Sequence, residues 1–133
     1  MLEINSTVQN AKVPVTIIHA KGDIDASNYE EFQTQTEKII SDGAKYVILD
    51  LHGVDYMSSA GLRVIHGLFN KLREIHQDAN DEELRKKMSA GAYKSPYIKV
   101  ANLTTKVKEV FELGGFETYI EVYDDLNNAI NSF

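Results

Sequence analysis

The 133-residue sequence has no cysteine, no tryptophan and only two prolines. Without cysteine there can be no disulfide bond, thiolate nucleophile or cysteine-ligated zinc site. No apolar run approaches the roughly 20 residues that a membrane-spanning helix needs, so we expect no membrane span. The first residues lack a basic region followed by a long apolar run, which predicts no secretory signal. A cytoplasmic location is therefore the default expectation.

Basic residues are outnumbered, because 14 Lys and Arg stand against 20 Asp and Glu and give a net charge of −6. A nucleic-acid backbone requires a basic surface, so this balance argues against direct nucleic-acid binding. The basic cluster Arg85-Lys86-Lys87 follows several acidic residues and predicts a solvated helix face. The length fits a single domain with one core, and we expect residues 1–133 to form it.

The pattern of apolar residues predicts an α/β fold. Apolar and polar residues alternate around Leu2–Ile4 and again at Val13–Ile17, which predicts an opening β-hairpin. The continuous apolar run Tyr46–Leu49 predicts a strand buried on both faces. Further strands are expected at Tyr97–Val100 and Thr118–Val122. Together these indicate a mixed sheet of about five strands, with about four helices packed mainly on one face.

Local signals predict where the helices begin. Ser27 and Glu30 have the spacing of a capping box at the first helix. The second helix is expected to start near Ser58 or Ser59, Thr104 to cap the third, and Asp124-Asp125 to lead the last.

Residues 77–95 have little apolar content and end before Pro96. We expect an exposed insertion between the second helix and the following strand. It is interpreted either as a tolerated surface insertion or as an arm that selects a partner.

The segment from the buried strand to the second helix carries the strongest chemical signal. Its helix opens with Ser58-Ser59-Ala60-Gly61. The first N–H groups of a helix have no internal partner and form the positive end of its dipole, so a phosphate is favoured there. The small residues Ala60 and Gly61 would let another group approach closely. A serine that merely caps the helix remains the alternative interpretation.

Two other site types are weaker. Ser59-Ala60-Gly61 matches the end of the hydrolase pattern Gly-x-Ser-x-Gly, but Met57 replaces the first glycine and no histidine is marked as a base. The four histidines are scattered along the chain, at His19, His52, His66 and His76. Neither Asp23 and Asp25 nor the acidic stretch at 78–83 has the ligand spacing of a calcium loop, so no metal site is expected.

Three segments resemble STAS domains, and especially the bacterial anti-sigma-factor antagonists. They are Tyr56–Arg63, the Gly22-Asp23-Ile24-Asp25 loop, and the stretch from Asn102 to Phe116. The resemblance covers nearly the whole chain except residues 77–95, and it implies a single STAS-like domain.

The resemblance also implies a function. In that family an anti-sigma factor, itself an ATP-dependent serine kinase, phosphorylates the antagonist on a serine that corresponds to Ser59. Ser58 is the second choice, because many members have Asp at that position. The unphosphorylated antagonist binds the kinase and frees a sigma factor, and a phosphatase of the PP2C type resets the switch. The chain would need no catalytic residue and no cofactor, since ATP would belong to the kinase.

The expected partner surface surrounds this serine, because Asp23 and Asp25 are expected on the same rim. Its residues are Asp23, Asp25, Ser58, Ser59, Ala60, Gly61 and Arg63. The rival interpretation within the same fold is a scaffold that is not phosphorylated, or an accessory subunit of a signalling or lipid or anion transport complex. An apolar partner groove without phosphate would mark that rival.

Overall fold

The structure is a computed structural model that describes residues 2–77, 81–91 and 93–133. In these ranges the chain forms five strands, five α-helices and one short 3-10 helix. The strands are β1 (Glu3–Asn10), β2 (Pro14–Lys21), β3 (Val47–Gly53), β4 (Ile98–Ala101) and β5 (Glu121–Tyr123). The α-helices are α1 (Tyr29–Ser41), α2 (Ser59–Ile75), α3 (Asp81–Ser89), α4 (Thr105–Leu113) and α5 (Leu126–Asn131), and the 3-10 helix is Phe116–Thr118.

The strands form one mixed sheet in the order β1-β2-β3-β4-β5, which confirms the predicted fold class. β1 and β2 are an antiparallel hairpin, and the remaining neighbours pair in parallel. β3 lies at the centre, as its apolar run predicted. Leu49 packs into the core on one face of the sheet and Ile48 into the core on the other. Parallel strands covered on both faces are expected to show such continuous apolar runs.

Most helices cover one face of the sheet, also as predicted. α1, α2 and α4 contribute to the larger core through buried residues such as Phe32, Phe69 and Phe111. α5 lies on the opposite face. Its Ala129 and Ile130 complete a smaller core with residues of β2, β3 and β4: Val15, Ile17, Ile48 and Ala101. Among the described residues, no helix has both the length and the apolar character needed to cross a lipid bilayer.

The first helix does not begin with the predicted capping box. α1 starts at Tyr29 with Asn28 as its N-cap residue, and no side chain caps it. The Ser27 hydroxyl instead donates to Asp25 Oδ1 at 2.5 Å. Because Asn28 is the N-cap residue, Ser27 lies outside the helix, and both its N–H and its hydroxyl donate to the nearby carboxylate of Asp25.

Two elements late in the chain differ from the expected ones. The last strand is Glu121–Tyr123, shorter than the predicted Thr118–Val122, because the 3-10 helix Phe116–Thr118 occupies the preceding residues. Thr104 is the N-cap residue of α4 by position, but its hydroxyl accepts no capping bond from a helix N–H and instead donates to the carbonyl of Val54. At the last helix, Asp125 caps α5 by accepting from Asn128 N–H, as the sequence indicated.

The predicted insertion at 77–95 contains α3, which is the one helix more than the four that the sequence predicted. α3 carries two ion pairs at i,i+4 spacing, Glu82–Lys86 and Glu83–Lys87, so its charged residues form the solvated face that was expected. Leu84 and Met88 are half-buried against the larger core. The insertion is therefore anchored along its apolar side and is not wholly exposed. Residues 78–80 and 92 lie outside the described residues.

Candidate functional site

Two loops are joined edge to edge at the carboxyl end of β2 and β3. Ile24 N–H donates to the Tyr56 carbonyl at 3.0 Å, and Ser58 N–H donates to the Ile24 carbonyl at 2.9 Å. Ile24 and Met57 form an isolated parallel bridge. Gly22 N–H adds a third bond to the Gly53 carbonyl, at 2.9 Å. The residues before α2 and the loop after β2 therefore behave as one short strand pair.

This pairing brings the predicted aspartates to the start of α2. Ile24 and Met57 are buried in the core, at 0% and 1% exposure. The residues that flank Ile24 point the other way, so Asp23 is exposed and Asp25 is half-buried. The structure thus places Asp23 and Asp25 beside Ser58, on one rim.

Asp25 is held in place by its neighbours. Its Oδ1 accepts from the Ser27 hydroxyl and from Ser27 N–H, at 2.5 and 2.8 Å. The Ser27 hydroxyl bond is the main cause that lowers the pKa of Asp25 below its ordinary value, and backbone N–H groups add to it. These bonds stabilise the ionised form of Asp25, which an aspartate already adopts at neutral pH.

The two serines at the start of α2 have opposite environments. Ser58 is the extended N-cap residue, with φ −82° and ψ 172°, and its hydroxyl does not cap the helix. Its Oγ is buried and has no hydrogen-bond partner among the described residues. Ser59, the first helical residue, is exposed. With no acidic residue in the first turn either, the positive end of the α2 dipole is left uncompensated.

The small residues that follow serve internal packing. Ala60 and Gly61 are both buried. A Cβ added to Gly61 would lie 2.7 Å from Met57 Cγ and 2.9 Å from Ile24 Cγ2. The sequence suggested that Ala60 and Gly61 admit an outside group. At Gly61 the close approach is instead that of the Ile24–Met57 bridge to the helix.

The exposed residues around Ser59 include two that the sequence analysis missed. Asp55 is exposed, and Tyr56 exposes 48% of its surface. Both precede the buried Met57 in the loop, and an aromatic residue in a short loop between buried positions is the signal that could have found Tyr56. Arg63 is exposed one helical turn after Ser59, so the two side chains share a face of α2.

A second loop supports the site from the other side. The Thr104 hydroxyl donates to the Val54 carbonyl at 2.9 Å. Asn102 has a φ of 60°, in the left-handed region, and its Nδ2 donates to Asp50 Oδ1 at 3.2 Å. These contacts attach the β4–α4 connection to the segment that leads into α2.

Asp50 is the acceptor on which this attachment depends. Burial raises the pKa of Asp50, but hydrogen bonds from Asn102, His19 and the His52 N–H together hold it below its ordinary value. His19 Nδ1 lies 2.9 Å from Asp50 Oδ2. The Asp50 carboxylate therefore accepts from the side chain of Asn102, the residue whose backbone is left-handed.

Two histidines are bonded to groups other than the serines at the start of α2. His66 Nδ1 lies 2.8 Å from the Tyr119 hydroxyl, and His76 Nε2 lies 2.7 Å from the Lys45 carbonyl. In the described parts of the chain no hydrogen bond joins an imidazole to Ser58 or Ser59. Within those same ranges no group of three or more His, Asp or Glu side chains is arranged to hold a metal ion.

The environment of Ser58 leads to a stability prediction. Replacing an N-cap serine by alanine usually costs about 1 kcal/mol. We expect Ser58→Ala to change the free energy of unfolding by less than about 0.5 kcal/mol, or to raise it, because the hydroxyl is buried without a partner. Asp125→Ala is the matched control, since Asp125 does cap its helix, and it should lose about 1 kcal/mol. Urea unfolding measures both, and a loss of about 1 kcal/mol in Ser58→Ala would show that its hydroxyl is bonded.

Two glycines of α2 give a second prediction. Gly61→Ala should lower the free energy of unfolding by about 1–3 kcal/mol, because the new Cβ collides with Met57 and Ile24. Gly67→Ala should raise it by about 0.5–1 kcal/mol, because no atom of the described residues lies within 4 Å of its Cβ position and alanine is the better helix former. Thermal or urea unfolding of both variants tests the packing at the start of α2. If both variants changed the free energy of unfolding equally and in the same direction, the predicted collision at Gly61 would be contradicted.

Comparison with known proteins gives consistent results. A protein of Bordetella bronchiseptica, named provisionally as the anti-sigma factor antagonist BtrV, is 26% identical over 113 residues, which are 85% of this chain and 81% of that protein. The crystal structure of an anti-sigma factor antagonist from Mycobacterium paratuberculosis has a TM-score of 0.70 at 17% identity and covers 98% of this chain and 93% of its own.

The anti-sigma factor antagonist SpoIIAA shares the same fold. Its unphosphorylated form has a TM-score of 0.66 at 16% identity, over 96% of this chain and 95% of that one. Its phosphorylated form, from Bacillus, has a TM-score of 0.60 at 15% identity, over 96% of this chain and 98% of that one. The model of the STAS domain family matches residues 6–77, more than half of the sequence. Sequence and fold agree, and the chain belongs to the STAS domain family.

Proposed function

We propose that this chain is an anti-sigma factor antagonist whose binding to a serine kinase is switched by phosphorylation of Ser59. The observation that carries the proposal is the position of Ser59, exposed at the uncapped start of α2 and beside the Asp23–Asp25 rim. A protein-binding switch needs a modifiable group on an otherwise rigid surface. The hydrogen-bonded loops around Ser59 supply that surface.

Accessibility favours Ser59 over Ser58 as the modified residue. A kinase must bring the hydroxyl against the γ-phosphate of ATP, which requires an exposed side chain. Ser59 is exposed, whereas the Ser58 oxygen is buried. Modifying Ser58 would first require its side chain to rotate out of this buried position.

The fold can accept a phosphate on Ser59 without rearranging. The phosphate would lie at the positive end of the α2 dipole, an interaction of about 0.3–1 kcal/mol. Arg63 is exposed one turn later, at the i,i+4 spacing that allows an ion pair along the helix. Phosphorylation would therefore alter the surface and leave the core intact.

The same phosphate would weaken a complex that fits the neutral hydroxyl. It adds about −1.5 to −2 charges at pH 7. If the partner buries Ser59, that charge must be desolvated, and a loss of about 2.7 kcal/mol already means a roughly hundredfold weaker complex.

Charge also indicates what kind of surface the partner presents. Asp23, Asp25 and Asp55 are carboxylates of the two paired loops, and the exposed Tyr56 follows Asp55 in the second of them. A basic partner surface with a groove for the tyrosine fits this rim, because complementary charges steer association and aromatic residues often anchor interfaces. In this proposal Ala60 and Gly61 shape the helix start from within, and Ser59, Arg63 and the rim make the contacts.

The proposed cycle assigns the chemistry to other proteins. An anti-sigma factor kinase would hold ATP and modify Ser59, the unphosphorylated chain would sequester that kinase and free a sigma factor, and a PP2C-type phosphatase would remove the phosphate. The chain itself would catalyse no reaction and hold no cofactor. It would work in the cytoplasm, where these partners act.

Affinity capture from lysate of the host, read by mass spectrometry, tests the proposal. Wild type, Ser59→Ala and Ser58→Ala should retain a protein with a histidine-kinase-like ATPase domain, because all three present a neutral helix start. Ser59→Asp should retain at least about tenfold less, since one charge costing about 1.4 kcal/mol suffices for that change. Ser41→Asp is the matched control, because Ser41 is an exposed serine at the end of α1, and it should bind like wild type.

Two results would contradict the proposal. Equal retention of that ATPase by all five baits would make Ser59 a plain surface residue and favour the scaffold or accessory-subunit function. Loss of binding in Ser58→Ala but not in Ser59→Asp would move the switch to the buried serine.

A further inference from the structure

One edge of the sheet is long and open. β1 is the edge strand, eight residues long, and residues 5–10 are all exposed. The opposite edge strand β5 has only three residues, all half-buried. An edge strand presents unpaired N–H and C=O groups, so natural proteins usually protect it.

The exposed part of β1, residues 5–10, carries none of the usual protective devices. Its register with β2 is regular from Glu3↔Lys21 to Asn10↔Pro14, so no bulge twists the edge away. The strand contains no proline and no lysine, and Glu3 is its single charge. An unprotected edge of this length is expected to pair with another strand.

Val8 is an apolar residue near the middle of the exposed residues 5–10. It is 63% exposed and belongs to an open depression of about 320 Å³. The depression is lined also by Pro14, Thr16, Ala44 and Tyr46. A second apolar side chain placed beside Val8 could enter this space.

We propose that β1 pairs antiparallel with β1 of a second copy of this chain, about a twofold axis at Val8. Each Val8 would then face the other copy's Val8 on the side of the sheet that carries the larger core. Charge selects this orientation. Glu3 begins the strand and Lys12 follows its end, so antiparallel pairing brings opposite charges together, whereas parallel pairing would place Glu3 beside Glu3.

The dimer would be weak and would depend on concentration. A single pair of strands buries less area than the roughly 1,000 Å² of a stable interface. The proposal is independent of the Ser59 switch, because it concerns the β1 edge and not the start of α2.

The absence of cysteine allows a sharp test. In the proposed pairing Val8→Cys places the two sulfur-bearing residues directly opposite, within the 4.4–6.8 Å Cα separation of a disulfide. Ser6→Cys is the matched control on the same face, because its two copies would be offset by four residues, or about 13 Å. Under mild oxidation Val8→Cys should form a covalent dimer at least tenfold faster than Ser6→Cys. Equal rates would overturn the proposal.

Light scattering after size exclusion gives the second readout. Wild type should pass from monomer to dimer as its concentration rises, and Val8→Lys should stay monomeric at the same concentrations. Asn70→Lys adds the same charge on the exposed side of α2 and should dimerise like wild type. A dissociation constant of about 1 mM corresponds to a binding free energy of about 4 kcal/mol. Wild type that remains monomeric up to that concentration would overturn the proposal.

Discussion

The short strand pair between Ile24 and the segment from Tyr56 to Ser58 is the constraint on which the rest of the site depends. Its backbone hydrogen bonds fix where α2 begins. Because Ile24 and Met57 point into the core, the aspartates on either side of Ile24 point away from it, at the start of α2. The buried bridge also approaches the helix so closely that position 61 has no space for a Cβ. One contact thereby explains the acidic rim, the glycine and the exposed serine.

Adjacent serines with opposite environments follow from this geometry. The extended residue that ends the strand pair turns its hydroxyl inward, and the next residue, the first of the helix, turns outward. Supporting contacts come from Thr104 and from the Asp50–Asn102 pair, which attach the β4–α4 connection to the same segment. A hydrogen-bonded surface that exposes the Ser59 hydroxyl suits a switch that changes charge and leaves the fold unchanged.

Much of the fold was predictable, because burial imposes regular patterns. The apolar run of β3 indicated a central strand, and Asp125 indicated the start of α5. Side-chain hydrogen bonds were less predictable, because they depend on competing partners. The Ser27 hydroxyl donates to the carboxylate of Asp25, and the Thr104 hydroxyl donates to a carbonyl 50 residues away in the sequence. The role of Gly61 depends in part on a tertiary neighbour, Ile24, that sequence spacing alone does not reveal.

The central claim, that Ser59 and not Ser58 carries the regulatory phosphate, is tested most directly by fragmentation mass spectrometry of the chain isolated from its host. Samples should be taken while the kinase is bound and after it is released. We predict that phosphate appears on Ser59 after release, is absent while the complex persists, and does not occur on Ser58. Phosphate on Ser58, or release of the kinase with both serines unmodified, would contradict it.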